Sequence, residues 1–131
     1  MKMALVVGAL TCSVVFLTGC YRTGGLVWHA PVKMTSMKNP MEGNAEARRA
    51  GAKLFSQECS PCHGANREGT PQAPSLKQPE VSQAAPGRLF WVLRNGSLPT
   101  GMPSFASLPE QQRWQIITFL RQDHTGPIRS Q

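Results

Sequence analysis

The hydrophobic pattern divides the chain into four apolar blocks separated by polar stretches, and three of the blocks have helical spacing. The first block, Ala4–Leu17, is a fourteen-residue run with no charged residue. In the second, Ala47, Ala50, Gly51, Leu54 and Phe55 fall at i, i+3, i+4, i+7 and i+8, a single helical face. Asn44 is placed to cap this helix, which is expected through Arg48 to Glu58. The third block predicts a helix from Pro86 to Asn95, with Leu89, Phe90 and Leu93 on one side, Trp91 and Val92 widening the apolar arc, and Gly96 as a left-handed cap. The fourth opens with Ser107-Leu108-Pro109-Glu110, which reads as a capping box. It continues through Trp114, Ile116, Ile117, Phe119 and Leu120 to about Asp123, and Thr125-Gly126-Pro127 stops it. No alternating strand pattern and no internal repeat is present, so the expected fold class is all-α, with long Pro- and Gly-rich loops. Loops of that length usually serve a site.

The Ala4–Leu17 run is shorter than the roughly 20 residues that span a bilayer, and it follows the basic start Met1-Lys2-Met3. It suits the core of an export signal. It ends in Leu17-Thr18-Gly19-Cys20, which resembles the bacterial lipobox. That resemblance implies cleavage before Cys20, lipidation of its thiol, and a protein held at the periplasmic side of a bacterial membrane without spanning it. The expected layout is a signal peptide over 1–19, lipidated Cys20 and a flexible linker over 20–43, one folded domain over 44–124, and a tail over 125–131. As a flexible coil the linker would span on the order of 25 Å, and roughly 70 Å fully extended. Met34, Met37 and Met41 lie in it near His29; thioethers suit Cu(I), but Pro40 interrupts any shared helix. A linker or docking segment is the plainer reading.

Charge adds little specificity. The formal net charge is +7, and loss of Lys2 with the signal leaves +6. The basic residues are scattered, which argues against a nucleic-acid binder and is compatible with an acidic protein partner.

The chemistry lies in the cysteines. Cys12 lies in the apolar core of the signal and Cys20 at its end, and Cys59-Ser60-Pro61-Cys62-His63 is the c-type haem attachment motif. Two thiols with two residues between them reach the two vinyl groups on one porphyrin edge and form thioethers. The next residue presents its imidazole to the iron from the same side. A zinc site would need two more ligands, and His124 stands alone. A thioredoxin-like pair would start a helix within a βαβ pattern; here the motif follows a helix. Met102 is the only Met after the motif and sits between Gly101 and Pro103, a cramped setting for a core filler. It is therefore the candidate distal ligand. Trp91, Trp114 and Phe105 read as packing, and Arg67, Arg88 and Arg94 as candidate propionate partners.

From about Asn44 to Gln122 the chain resembles class I cytochromes c. Gly51, Phe55 and Cys59 match a Gly and an aromatic that lead by fours to the first Cys, and Ile116 and Phe119 match the last-helix residues they pack on. Ala73-Pro74-Ser75-Leu76 resembles the segment whose Pro carbonyl accepts a bond from the proximal His. Asn95 to Phe105 is similar to the family's Met loop. The resemblance implies a class I cytochrome c fold of about three main helices around one covalent haem c, with Pro74 as acceptor and Leu76 against the ring. It implies a one-electron carrier rather than an enzyme, with His63 and Met102 as axial ligands and redox proteins as donor and acceptor. A cytochrome subunit of a dehydrogenase or terminal oxidase complex is the alternative. A haem sensor or peroxidase with a labile distal ligand ranks below both.

Overall fold

The computed structural model describes residues 30–122. The signal, Cys20, His29, His124 and the tail lie outside the described residues. Six helices follow in order: α1 (Val32–Thr35), α2 (Ala45–Glu58), α3 (Ser60–His63), α4 (Pro79–Ser82), α5 (Pro86–Asn95) and α6 (Glu110–Leu120), with a 3-10 turn at Leu98–Thr100. The three longer helices are those that the apolar periodicity predicts. Among the described residues there is no strand, only two isolated bridges, Thr70–Ala73 and Ser97–Met102.

Helix α2 starts where Asn44 takes an extended conformation and its side chain accepts from the Ala47 N–H at 2.9 Å. Glu46 in the first turn complements the helix dipole. The face formed by Ala47, Gly51 and Phe55 is buried against α6. At the crossing a Cβ on Gly51 would lie 1.9 Å from the Gln115 carbonyl oxygen, so only hydrogen fits there. One turn on, the Phe55 and Phe119 rings meet at 5.3 Å between centroids, tilted by 48°. Phe55, Ile116, Ile117 and Val81 are the largest fully buried side chains. On the other side of α6, Trp114 stacks on Phe90 of α5 at 4.4 Å.

Three details depart from the sequence expectation. Gly96 has the positive φ of a left-handed residue (71°), but its ψ of −168° sends the chain out extended rather than around a tight cap. Ser107 does not cap α6. The helix begins at Glu110 after Pro109 with no side-chain cap, and Glu110 instead accepts from the Trp114 indole N–H at 3.3 Å. The Phe105, Ala106 and Leu108 carbonyls ahead of the helix are taken by the Arg113 guanidinium. Helix α6 also ends at Leu120, followed by a turn at Arg121 and Gln122.

The stretch expected to be flexible linker through Gly43 is docked over much of its described length. Met34, Met37 and Met41 pack against the core, so their spacing serves packing. Asn39 is only 6% exposed. Its Nδ2 donates to Thr118 Oγ1 at 2.8 Å and its Oδ1 accepts from the Met41 N–H at 2.9 Å. A Cβ on Gly87 of α5 would lie 1.8 Å from the Met34 carbonyl oxygen, which explains a glycine in the first turn of α5. Glu42 pairs with Arg121 at 3.1 Å and closes the attachment.

Candidate functional site

The first thiol is placed by α2. Cys59 caps that helix, its N–H donating to Phe55 O at 2.9 Å, and continues the buried Gly51–Phe55 face. Pro61 suits the first turn of α3. That short helix carries the chain from Cys59 to His63, whose N–H donates back to Cys59 O at 2.9 Å. Cys59 is buried and Cys62 exposed, and neither is in a disulfide. Burial, then the Glu58 carboxylate and Cys62, push the Cys59 thiol up to about 12, so it is held neutral.

His63 is fixed by the segment after it. Its Nδ1 lies 2.8 Å from the Pro74 carbonyl oxygen. A carbonyl only accepts, so Nδ1 carries the proton and Nε2 keeps its lone pair for a metal. The Pro74 carbonyl is held by a small framework. The Gly69 N–H donates to His63 O at 2.7 Å, Thr70 Oγ1 to Cys62 O at 2.6 Å, and the Thr70 N–H to Ala73 O at 2.9 Å. Gly69 has φ +86°, and a Cβ there would meet Ser75 N at 2.6 Å. The Arg67 carbonyl accepts from Leu76 N–H and Ser75 Oγ, and Arg67 itself has a positive φ of 64°.

Met102 comes from the loop after α5. The Ser97 N–H donates to Met102 O at 2.9 Å and the Met102 N–H to Ser97 O at 3.1 Å, which closes a narrow turn around Leu98–Thr100. Gly101 at φ +78°, ψ 6° is left-handed, as the return requires. A Cβ on Gly96 would meet Met102 O at 2.6 Å. Beyond Met102, the Phe105 N–H donates to Leu93 O at 2.9 Å and Ser104 Oγ to Arg94 O at 2.6 Å, which tie the loop to α5.

These pieces surround one cleft of about 970 Å³, counted out to its open mouth. Cys59, Cys62, His63, Pro74, Leu76 and Met102 all line it. Val81, Leu89, Leu93, Phe105 and Leu120 supply apolar wall. The donor set is two thiols, an imidazole with its outer nitrogen already hydrogen-bonded, and a thioether, all in largely apolar surroundings. This fits a flat apolar macrocycle with a central iron better than a bare ion. Among the described residues no group of three or more His, Cys, Asp or Glu could hold a metal ion alone.

Sequence reasoning missed Val81, because a four-residue helix carries too little periodicity to show. It also offered Arg67, Arg88 and Arg94 for propionates, yet none of them lines the cleft. Arg67 is buried, its guanidinium 5.2 Å over the Phe119 ring and its Nη1 3.5 Å from Leu120 O.

Comparison with known proteins agrees with this fold. Two quinohemoprotein alcohol dehydrogenases of Pseudomonas putida, ADH-IIG and ADH IIB, are 37% and 35% identical over 98 and 93 residues. Each match covers 70% of this chain but 13% of the relative, so the chain spans only a small part of those proteins' length. The crystal structure of cytochrome CL from the marine methylotroph Methylophaga aminisulfidivorans MPT superposes with a TM-score of 0.57 at 27% identity. That superposition covers 65% of this chain and 58% of cytochrome CL. Residues 46–120 match the family described as cytochrome C oxidase, cbb3-type, subunit III. That span runs from the first turn of α2 to the end of α6 and takes in both thiols, His63, Pro74 and Met102, and by it the chain belongs to that family, as a class I c-type cytochrome of the electron-transferring, haem c-carrying kind.

Proposed function

We propose that the protein is a monohaem one-electron carrier, with haem c bonded through Cys59 and Cys62 and with His63 and Met102 as axial ligands. The observation that carries this reading is the 2.8 Å bond from His63 Nδ1 to Pro74 O beside an apolar cleft that Met102 also lines. When bound, the haem supplies a reversible ferric–ferrous couple. The chain's part is to hold that couple steady. Pro74 orients His63 and fixes which ring nitrogen faces the cleft. The Ser97–Met102 turn offers the thioether from a braced loop, and thioether ligation favours the ferrous state relative to a second imidazole. Leu76, Val81, Leu89, Leu93, Phe105 and Leu120 give the cleft an apolar wall for the macrocycle to pack on. With His63 and Met102 both holding the iron, substrate would find no open coordination site, which fits a carrier rather than a catalyst.

The protein is exported and held at the periplasmic side of a bacterial membrane by lipid on Cys20. The Leu17-Thr18-Gly19-Cys20 ending supports this, and no described helix is long and apolar enough to cross a membrane. Docking of residues 34–42 on the domain makes that part of the expected linker belong to the folded unit. Donor and acceptor are redox proteins with acidic docking surfaces, matched to the chain's net positive charge.

The test is the spectrum of the exported, matured protein. A c-type ferrous spectrum, a mass increase equal to one haem that survives denaturation, and the far-red band of Met-ligated ferric haem are expected. The band should vanish in both Met102→Ala and Met102→His. Its survival in Met102→Ala would remove Met102 from the iron.

A second reading is a cytochrome subunit fixed in a dehydrogenase or terminal oxidase complex. The family description and the two dehydrogenase relatives favour it. Copurification with large subunits from mild detergent supports it; a monomeric extract supports the free carrier.

A further inference from the structure

Arg113 is the most thoroughly buried cation whose charge nothing above has used. It is 7% exposed and sits in the first turn of α6. Its Nη1 donates to Phe105 O at 3.3 Å, to Ala106 O at 3.1 Å and to Leu108 O. Its guanidinium carbon stands 4.9 Å over the Phe90 ring, which in turn stacks on Trp114. Its Nε is buried without an acceptor. Among the described residues no carboxylate lies within ion-pair distance of it, and the nearby Glu110 is engaged by the Trp114 indole.

Burying a guanidinium without a carboxylate is costly unless its N–H groups are hydrogen-bonded. Here it gathers three carbonyls of the segment ahead of α6, and only one of them, Phe105 O, also accepts from a backbone N–H, that of Leu108. Those carbonyls belong to the segment that begins three residues after Met102. Phe105 is the junction. It lines the cleft with Met102, its N–H is tied to Leu93 of α5, and its carbonyl is tied to Arg113 of α6. The Met102 loop is therefore pinned at its start by the Ser97–Met102 pair and at its far end by Arg113.

We propose that Arg113 is the positioning residue for Met102, locking the far end of its loop so that the thioether resists displacement from the iron. The inference rests on His63/Met102 ligation as set out above.

The experiment titrates imidazole into ferric, matured protein and follows loss of the far-red Met–iron band. Wild type is compared with Arg113→Gln, Arg113→Lys and Arg121→Gln. Arg121 is a matched control: it is also largely buried with an unpartnered Nε, but it holds Ala84 O and Glu42 and makes no contact with the Met102 loop. Arg113→Gln is expected to bind imidazole roughly tenfold more tightly, the effect of losing a charge-assisted hydrogen bond. Arg113→Lys keeps the charge and a donor nitrogen but loses the planar guanidinium over the Phe90 ring, so it should shift in the same direction by less. Arg121→Gln should lower the unfolding midpoint and leave imidazole affinity at the wild-type value. Wild-type affinity in whichever Arg113 variant matures overturns the inference, as does an equal shift in Arg121→Gln. Absence of the band from wild type itself overturns the ligation reading and this inference together, whereas a normal wild-type band with unmoved Arg113 variants overturns this inference alone.

Discussion

His63 and Pro74 are eleven residues apart and joined by a 2.8 Å hydrogen bond, from the imidazole Nδ1 to a carbonyl that has no freedom to turn away. The restraint comes from Gly69, whose positive φ folds the intervening chain so tightly that its missing Cβ would lie 2.6 Å from Ser75 N and 2.9 Å from Pro74 C. The imidazole's orientation and electron density are thus set from the far side of a turn.

This makes Gly69 a control point for the reduction potential. Gly69→Val must displace the Pro74–Ser75 peptide, and the Nδ1 proton then loses its acceptor. A weaker donor on the iron stabilises the ferric state less, so the potential rises. If about 1 kcal/mol of ferric preference is lost, the shift is about 40 mV upward. Potentiometric titration of matured wild-type and variant protein measures it. A shift downward would contradict the argument.

Gly51 carries an equally specific steric requirement, but for stability. The Cβ of Gly51→Ala would fall 1.9 Å from Gln115 O, and backbone cannot step aside as a flexible side chain can. Helices α2 and α6 must separate, and the Phe55–Phe119 contact one turn away goes with them. The expected cost is about 3 kcal/mol or more, read as a lower guanidinium midpoint in the matured protein. Gly51→Val should yield little matured protein at all.

Carbon monoxide tests the proposed distal ligand from the ferrous side. A thioether on a loop braced by Ser97, Leu93 and Arg94 should leave slowly. Binding to reduced wild type at neutral pH is expected to be slow or absent, and in Met102→Ala fast. Fast binding to wild type would favour a sensor or peroxidase with a labile ligand.

Much of this was legible in the chain, and the reasons differ from part to part. The three longer helices could be read because each carries two or more turns of apolar repeat, and the meeting of Gly51 and Phe55 with Phe119 because those positions match the spacing of the class I cytochromes c that the chain resembles. The cleft residues Cys59, Cys62 and His63 are contiguous, so their chemistry shows in a five-residue window. Arg113 could not be read. In sequence it is one polar residue on an amphipathic helix, and its role depends on carbonyls that expose no side-chain signal. Ser107 misled because the helix starts at Glu110 after Pro109, too far on for the Ser hydroxyl to stand at the cap position. Asn39 was invisible because its partner, Thr118, lies 79 residues away, and the polar residues around it look like linker.

Asn39 therefore gives a direct test of whether residues 34–42 are tether or domain. Its amide donates to Thr118 Oγ1, accepts from Met41 N–H, and lies 3.5 Å from Trp114 O. Asn39→Ala takes one donor from the Thr118 hydroxyl, which keeps its own bond to Trp114 O, and leaves the Met41 N–H without its acceptor, at a cost of about 1–3 kcal/mol. It also frees the methionines on either side, so the exposed Lys38 should become a faster site of tryptic cleavage. Gly87→Ala attacks the same attachment from the opposite side, because its Cβ would strike the Met34 carbonyl oxygen at 1.8 Å. If the segment is part of the folded unit, both variants lower the unfolding midpoint of the haem domain and both speed cleavage at Lys38. A plain tether would leave the midpoint where it is in Asn39→Ala and cleave at Lys38 as quickly in wild type as in either variant.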